Sequence, residues 1–582
     1  MPDGTRIAAE VWIPETSRAD RRFATLVSFT RYWRAREMNP RPVEIDEPTK
    51  TMLAAGYAVV VADTRGSGAS FGSRAAEFST CETRDFRFVV DWIAAQPWSN
   101  GRVAAIGISY TGNTAEHAAY DASPALVAAV PRFTDFDAYA SILFPGGLRN
   151  ALITDRWATA VRALDNDSVP PGNWRSRGPH GEKLIGVKPV DADPGRRELA
   201  RAVAEHAQNQ DFYAVLSAAN FRDDLPLTGD LSAACNGIVT PYLLAVRQQN
   251  RAVPSYHWAS WMDAGTAAGV LARFVKHPDG YYIIGPWTHA AELDAEVFNA
   301  EDAPVTPSVA EQYAQIFDFL EPLMGGDAAR PEAAAASSAR GGPPSRGLTY
   351  YTMGERRWKH TATWPPAGAA SQHWFLAASG ELLPDAPPAR EASDRYRIDF
   401  EAGSGTRTRW STQLGGSDVF YGDRREADRK LLTYTSPPLA RDTEITGTPL
   451  VTLFVSSTHE DGAVIAYLEA VDPAGRVTMI TEGGLRLIHR RVSKERPPYE
   501  IFGPYHSFER RDALPLVPGE IAEIGFTLLP TSVRIPKGHA IRLALAGHDK
   551  DSFFRYPATG TPVLGVSRGG AHASRLTLPI VR

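Results

Sequence analysis

Short apolar runs alternate with amphipathic stretches through the first 135 positions of the chain. Residues 25–29 (TLVSF) and 57–62 (YAVVVA) each read as a strand buried on both faces, and 51–56 between them has the composition of a helix end. Over residues 82–96, Phe86, Val89, Val90 and Ile93 fall at i, i+3, i+4 and i+7, the stripe of an amphipathic helix. Ser79 and Glu82 form a capping-box pattern at its start, and Pro97 stops it. Residues 103–106 predict a third buried strand, 113–120 an Ala-rich helix and 125–130 a fourth strand. Strands alternating with helices predict an α/β fold, a parallel sheet with helices on both faces.

The rhythm then breaks. From about 136 to 235 the chain offers helical stretches rich in Ala, Arg and Asp, interrupted by a polar, Pro/Gly-containing segment at 168–186. No strand alternation stands out there, so a helical insertion above the sheet is expected. Strands return at 238–246 and 253–261, followed by a helix at 264–274 and a strand at 281–284. Residues 326–347 sit in a low-complexity run of Gly, Ala, Pro, Ser and Arg, which buries little apolar surface and reads as a linker. Beyond it, short alternating segments at 348–353, 431–434, 450–456, 464–471 and 541–546 predict an all-β sandwich of the jelly-roll kind. The expected organisation is a core in two parts (1–135 and 236–325), a helical cap (136–235), a linker (326–347) and the β-sandwich (348–582).

Composition narrows the function. A chain of 582 residues exceeds what one core holds, in keeping with two large domains. Its 43% hydrophobic and 22% charged residues are those of an ordinary packed protein, and a net charge of -5 offers no broad basic face for nucleic acid. Residues 1–6 carry no apolar signal core and no apolar run reaches about 18 residues, so a cytoplasmic protein without a membrane partner is expected. Cys81 and Cys235 stand apart from any CxxC pair or metal-ligand spacing, and read as two buried free thiols in a reducing compartment.

The chemistry centres on a serine. A literal G-x-S-x-G occurs at Gly68-Ala69-Ser70-Phe71-Gly72, but residues 73–78 beyond it show no helical face, whereas a nucleophile elbow needs strand, sharp turn and helix. The same stretch nearly makes a dinucleotide fingerprint, with Phe71 where the third glycine belongs, and is read as a structural turn. Gly107-Ile108-Ser109-Tyr110-Thr111-Gly112 departs from the strict pattern yet follows a strand directly and leads into a helix, so Ser109 is the candidate nucleophile. Its base should lie in a loop after a late strand, which selects His289 over His257, inside a strand, and His277, in a turn before one. The orienting acid should sit one strand–helix unit earlier. Asp263 does, ahead of its rivals Asp279 and Asp294. No HExxH helix and no phosphate-binding loop occur, so neither metal nor organic cofactor is expected, and His459-Glu460-Asp461-Gly462 reads as a polar turn.

These residues resemble a known family. The G-x-S-Y-x-G motif at Ser109-Tyr110, the preceding Gln96-Pro97-Trp98-Ser99-Asn100-Gly101, Asp63-Thr64-Arg65-Gly66, and Gly285-Pro286-Trp287-Thr288-His289 are similar to the cocaine-esterase-like serine hydrolases. That group includes X-prolyl dipeptidyl-peptidases, α-amino-acid ester hydrolases and glutaryl-cephalosporin acylases. The resemblance implies an α/β-hydrolase core with a helical cap and a C-terminal jelly roll. It further implies an oxyanion hole made by the Tyr110 backbone N–H and the Tyr32 hydroxyl. The α-amino-acid ester hydrolases carry acids two and three residues after the catalytic Asp. Here those positions are Gly265 and Thr266, which points to a small-molecule ester, or an acyl amide, without an α-ammonium group. Two alternatives are an X-prolyl dipeptidyl-peptidase or acylase using the same triad, and a carbohydrate- or protein-binding module confined to the jelly roll. Asp135 and Asp137 are the acids that could restore ammonium recognition.

Overall fold

A computed structural model of the chain describes residues 1–16, 20–40, 45–170, 182–232, 234–247, 253–325, 344–384 and 390–582. Its first sheet has nine strands: β1 (Ala9–Trp12), β2 (Phe23–Thr30), β3 (Ala58–Asp63), β4 (Ser99–Ile108), β5 (Leu126–Arg132), β6 (Tyr256–Ser260), β7 (Tyr281–Gly285), β8 (Gly347–Thr352) and β9 (Arg357–Thr361). They lie side by side in the order β1-β3-β2-β4-β5-β6-β7-β8-β9. Neighbours from β3 through β8 run parallel, and the two edges, β1 and β9, are antiparallel.

Successive residues of the central strands face opposite sides and feed two cores. On one side Val27, Val60 and Ala105 pack with Phe86, Val89, Val90 and Ile93 of helix α2 (Thr80–Ala94), the stripe expected from periodicity. On the other, Leu26, Val59 and Ala104 pack against Met52 of helix α1 (Glu47–Ala54) and against Ile316, Phe319 and Leu320. The Ser79 hydroxyl accepts from the Glu82 N–H at 3.2 Å and caps α2. Glu82 does not complete the capping box; its carboxylate accepts a hydrogen bond from the Tyr110 hydroxyl instead. A third helix of the core, α3 (Tyr110–Tyr120), follows β4.

Three expectations are corrected. Residues 238–246 do not form one strand: a two-residue strand, Ile238–Val239, is followed by the helix Pro241–Arg247, since proline fits a first helical turn but not a strand interior. The insertion is not purely helical: Lys183–Val187 pairs antiparallel with Arg36–Asn39, a contact across the chain that local pattern does not encode. Cys81 and Cys235 are not free thiols but a disulfide, Cα–Cα 5.0 Å, joining the first turn of α2 to a point 154 residues on. Cysteine state therefore lends no support to a reducing compartment.

Residues 348–353, expected to open the β-sandwich, instead join the first sheet, 348–352 falling in β8, which pairs in parallel with β7. Period-two alternation says that a strand is half-buried but not which sheet it joins. The linker assigned to 326–347 lies largely outside the described residues. The sandwich follows β9, with a second nine-stranded sheet and a four-stranded one. In the four-stranded sheet, Val464, Ala466, Leu468 and Ala470 face the sandwich core. The alternate residues Ile465 and Tyr467, with Met479 and Ala546, meet Leu148, Leu152 and Ala264 of the preceding region. This second apolar face seats the β-domain beside the C-terminal ends of the parallel strands. Among the described residues no helix is long and apolar enough to cross a membrane.

Candidate active site

Ser109 occupies the turn between β4 and α3 at φ 61°, ψ -125°. For a residue with a side chain such a backbone costs roughly 1–3 kcal/mol, so the surroundings must hold it. They do: its N–H donates to the Arg132 carbonyl at 2.9 Å, its carbonyl accepts from Asn113 N–H at 2.8 Å, and the Thr111 hydroxyl takes the Ile108 N–H at 2.8 Å. The flanking glycines are steric requirements. A Cβ at Gly107 would lie 2.3 Å from the Thr111 carbonyl carbon, and one at Gly112 would lie 2.5 Å from the Arg132 oxygen. The literal motif fails by contrast. Ser70 is fully buried, its hydroxyl accepting from Ala8 N–H and donating to the Asp63 carbonyl, at 2.9 and 2.8 Å.

His289 lies in the loop after β7, with Nδ1 2.8 Å from Asp263 Oδ2. Asp263 follows β6 and precedes helix Thr266–Lys276, so acid and base stand at the ends of adjacent parallel strands. Both are buried, and His289 Nε2 has no hydrogen-bond partner among the described residues. The rivals are occupied elsewhere. His257 is buried flat against Tyr282, and desolvation holds its imidazole neutral, well below the usual range. Asp294 accepts from Asn299 and from the Glu296 N–H.

Tyr32 follows β2, the strand beside β4 at the point where the sheet order reverses, which is where open α/β sheets form their crevice. Its ring meets that of Tyr110 edge-on at 5.6 Å. Its hydroxyl oxygen accepts from the indole N–H of Trp157 at 2.9 Å. Trp157 in turn lies 5.5 Å beneath the Arg31 guanidinium, and buried Arg31 is paired with Glu77 and, at 2.9 Å, with Asp165. The Tyr110 N–H begins α3, where first-turn amides have no partner within the helix. Burial pushes Glu82, the acceptor of the Tyr110 hydroxyl, up to about 7.

Neither the residue two nor the residue three positions after Asp263 supplies an acid. A Cβ at Gly265 would lie 2.6 Å from the Ser141 oxygen, so backbone fills the space a side chain would need. The Thr266 hydroxyl turns back onto the Asp263 carbonyl at 2.8 Å. Asp137 is neutralised by Arg222 at 2.8 Å and accepts from the Tyr499 hydroxyl. Asp135 lies beside Asn113, and burial, reinforced by the Asp263 carboxylate and opposed by Asn113 and His289, raises its carboxyl to about 7.

Three residues not singled out from the sequence touch the site. Trp157 holds Tyr32, and Thr412 and Gln413 of the β-domain reach His289 and Asp263. Their partners lie 123 to 150 positions away, and no local periodicity marks them.

The strand order, the strained serine at the elbow and the His–carboxylate pair define a serine hydrolase of the α/β-hydrolase class. A model of the X-Pro dipeptidyl-peptidase (S15) family matches residues 3–291, and one of the X-Pro dipeptidyl-peptidase C-terminal non-catalytic domain matches 344–577. A Mycobacterium bovis protein named as a serine esterase is 38% identical over 615 residues, 100% of this chain and 94% of its own. The cocaine esterase of a Rhodococcus species is 24% identical over 90% of this chain and 88% of its own. Among solved structures, an aminopeptidase from a marine-sediment Thaumarchaeota archaeon superposes with a TM-score of 0.73 at 19% identity, over 100% of this chain and 95% of that one. The chain belongs to the serine esterase family of that mycobacterial relative, its catalytic and C-terminal regions being those that the two X-Pro dipeptidyl-peptidase models describe.

Proposed function

We propose that the protein hydrolyses uncharged carboxylic esters through an acyl-enzyme on Ser109. The observation that carries this reading is the buried 2.8 Å contact of Asp263 with His289 Nδ1, in the loops after β6 and β7 of the same sheet whose β4 leads into the Ser109 elbow. Asp263 fixes the tautomer that leaves Nε2 free to accept the Ser109 proton, and it stabilises the imidazolium that forms. Ser109 Oγ then attacks the ester carbonyl. The developing oxyanion is met by the Tyr110 N–H and the Tyr32 hydroxyl, each worth about 3 kcal/mol of barrier. Collapse expels the alcohol with the proton held by His289. Water, activated by the same base, releases the acid and restores Ser109.

The substrate class rests on Gly265, Thr266, Asp137 and Asp135. Two lack charge, one is already ion-paired, and one, with its carboxyl raised to about 7, is only partly ionised near neutral pH. Ser109→Ala is expected to lower turnover of p-nitrophenyl acetate by about 10⁴- to 10⁶-fold; undiminished turnover defeats the nucleophile assignment. Matched esters and amides of one acyl group then separate esterase from acylase, and a preference for aminoacyl-proline amides would restore the dipeptidyl-peptidase reading.

A further inference from the structure

The segment from Arg409 to Gly416 leaves the β-domain and lies across both loops that carry the acid and the base. The Arg409 carbonyl accepts from the Ala264 N–H at 2.9 Å, and its guanidinium, fully buried, donates to the Trp261 carbonyl at 3.0 Å. Those two contacts bracket Asp263 on both sides. The Gln413 side-chain amide donates to Asp263 Oδ1, the oxygen that His289 does not use. The Thr412 hydroxyl accepts from the His289 backbone N–H at 3.0 Å and donates to the Ser417 carbonyl at 2.6 Å. At Gly416, φ 78°, a Cβ would lie 2.8 Å from the His289 carbonyl oxygen, so the segment closes against the base loop from its far side as well.

We infer that Thr412 and Gln413 are positioning residues of the triad, which makes the β-domain a working part of the catalytic machinery. The inference rests on the triad proposed above. A carboxylate in a closed site keeps one oxygen on the imidazole only if its other oxygen is satisfied, since an unpaired charged oxygen would rotate to find a donor. Gln413 supplies that donor from a neutral group, so it fixes the Asp263 rotamer without adding a competing positive charge. Thr412 performs the matching task for the histidine, satisfying a buried backbone N–H and thereby setting the height of the imidazole above the sheet.

The test uses the full-length protein and p-nitrophenyl acetate. Gln413→Leu removes the donor and is expected to lower kcat about 10- to 100-fold, what one charge-assisted hydrogen bond is worth, with little change in KM. Gln413→Glu keeps the shape but places a second negative group beside the Asp–His pair. In both variants the acid limb of the kcat/KM profile is expected to move to higher pH, because the uncompensated negative charge favours the protonated imidazole. Thr412→Val should lower kcat and Thr412→Ser should restore it. Circular dichroism and a melting curve accompany each variant, and the near-isosteric Gln413→Glu and Thr412→Ser carry the test if Gln413→Leu does not fold. With Ser109→Ala inactive, variants at 412 and 413 that keep both kcat and the acid limb would overturn the inference. An active Ser109→Ala would defeat the triad itself.

Discussion

Tyr32, the proposed oxyanion donor, is held by the Trp157 indole from the insertion, the Tyr110 ring edge and the Thr30 hydroxyl that accepts from its backbone N–H. Tyr32→Phe is therefore expected to cost about 100-fold in kcat, the loss of one oxyanion donor. Trp157→Phe should cost less, and its effect should vanish in a Tyr32→Phe background, because it acts through that hydroxyl; equal effects in both backgrounds would refute the coupling. Asp135 gives a pH prediction. Burial lifts it from 3.8 to about 7 in the folded chain, so the folded state holds this proton longer than the unfolded one. The stability tied to it is complete below about pH 4 and is lost as pH rises through about 7. The thermal midpoint of Asp135→Asn should thus fall less between pH 5 and pH 8 than that of the wild type, and parallel curves would remove Asp135 as the cause.

Among the elements, helix α2 and the strands β3 and β4 were legible because each writes its burial into a local period: the 86, 89, 90, 93 stripe, and the runs 57–62 and 103–106. The elbow at Ser109 was legible for the same reason, since strand, turn and helix are contiguous around it. The Cys81–Cys235 bond, the Trp157–Tyr32 contact and the segment across Asp263 and His289 were not, because each joins positions more than 100 residues apart, which leaves no trace in a local period. The disulfide closes a loop of 154 residues and ties the start of α2 to the far end of the insertion. Removing it with Cys81→Ser and Cys235→Ser is expected to cost about 2–5 kcal/mol in urea unfolding. An unchanged midpoint would show that packing between α2 and the strand Ile238–Val239 holds the junction without it.

At the scale of the whole molecule, the site is assembled from all parts of the chain. In the proposed site the loops of the first sheet supply Ser109, Asp263 and His289, the insertion contacts Tyr32, and the β-domain contacts Asp263 and His289. The four-stranded sheet is apolar on both faces, and its outer face is what docks this domain onto the rest. Strand β8 extends the same dependence to topology. It comes after the low-complexity run in sequence, yet it lies between β7 and β9 in the first sheet. A chain ending at residue 325 would leave the backbone groups of β7 unpaired along an apolar edge, an invitation to self-association. Recombination between relatives meets the same constraint: a crossover in the low-complexity run transplants a strand into a foreign sheet, whereas one placed after residue 361 exchanges the β-domain with the host sheet whole.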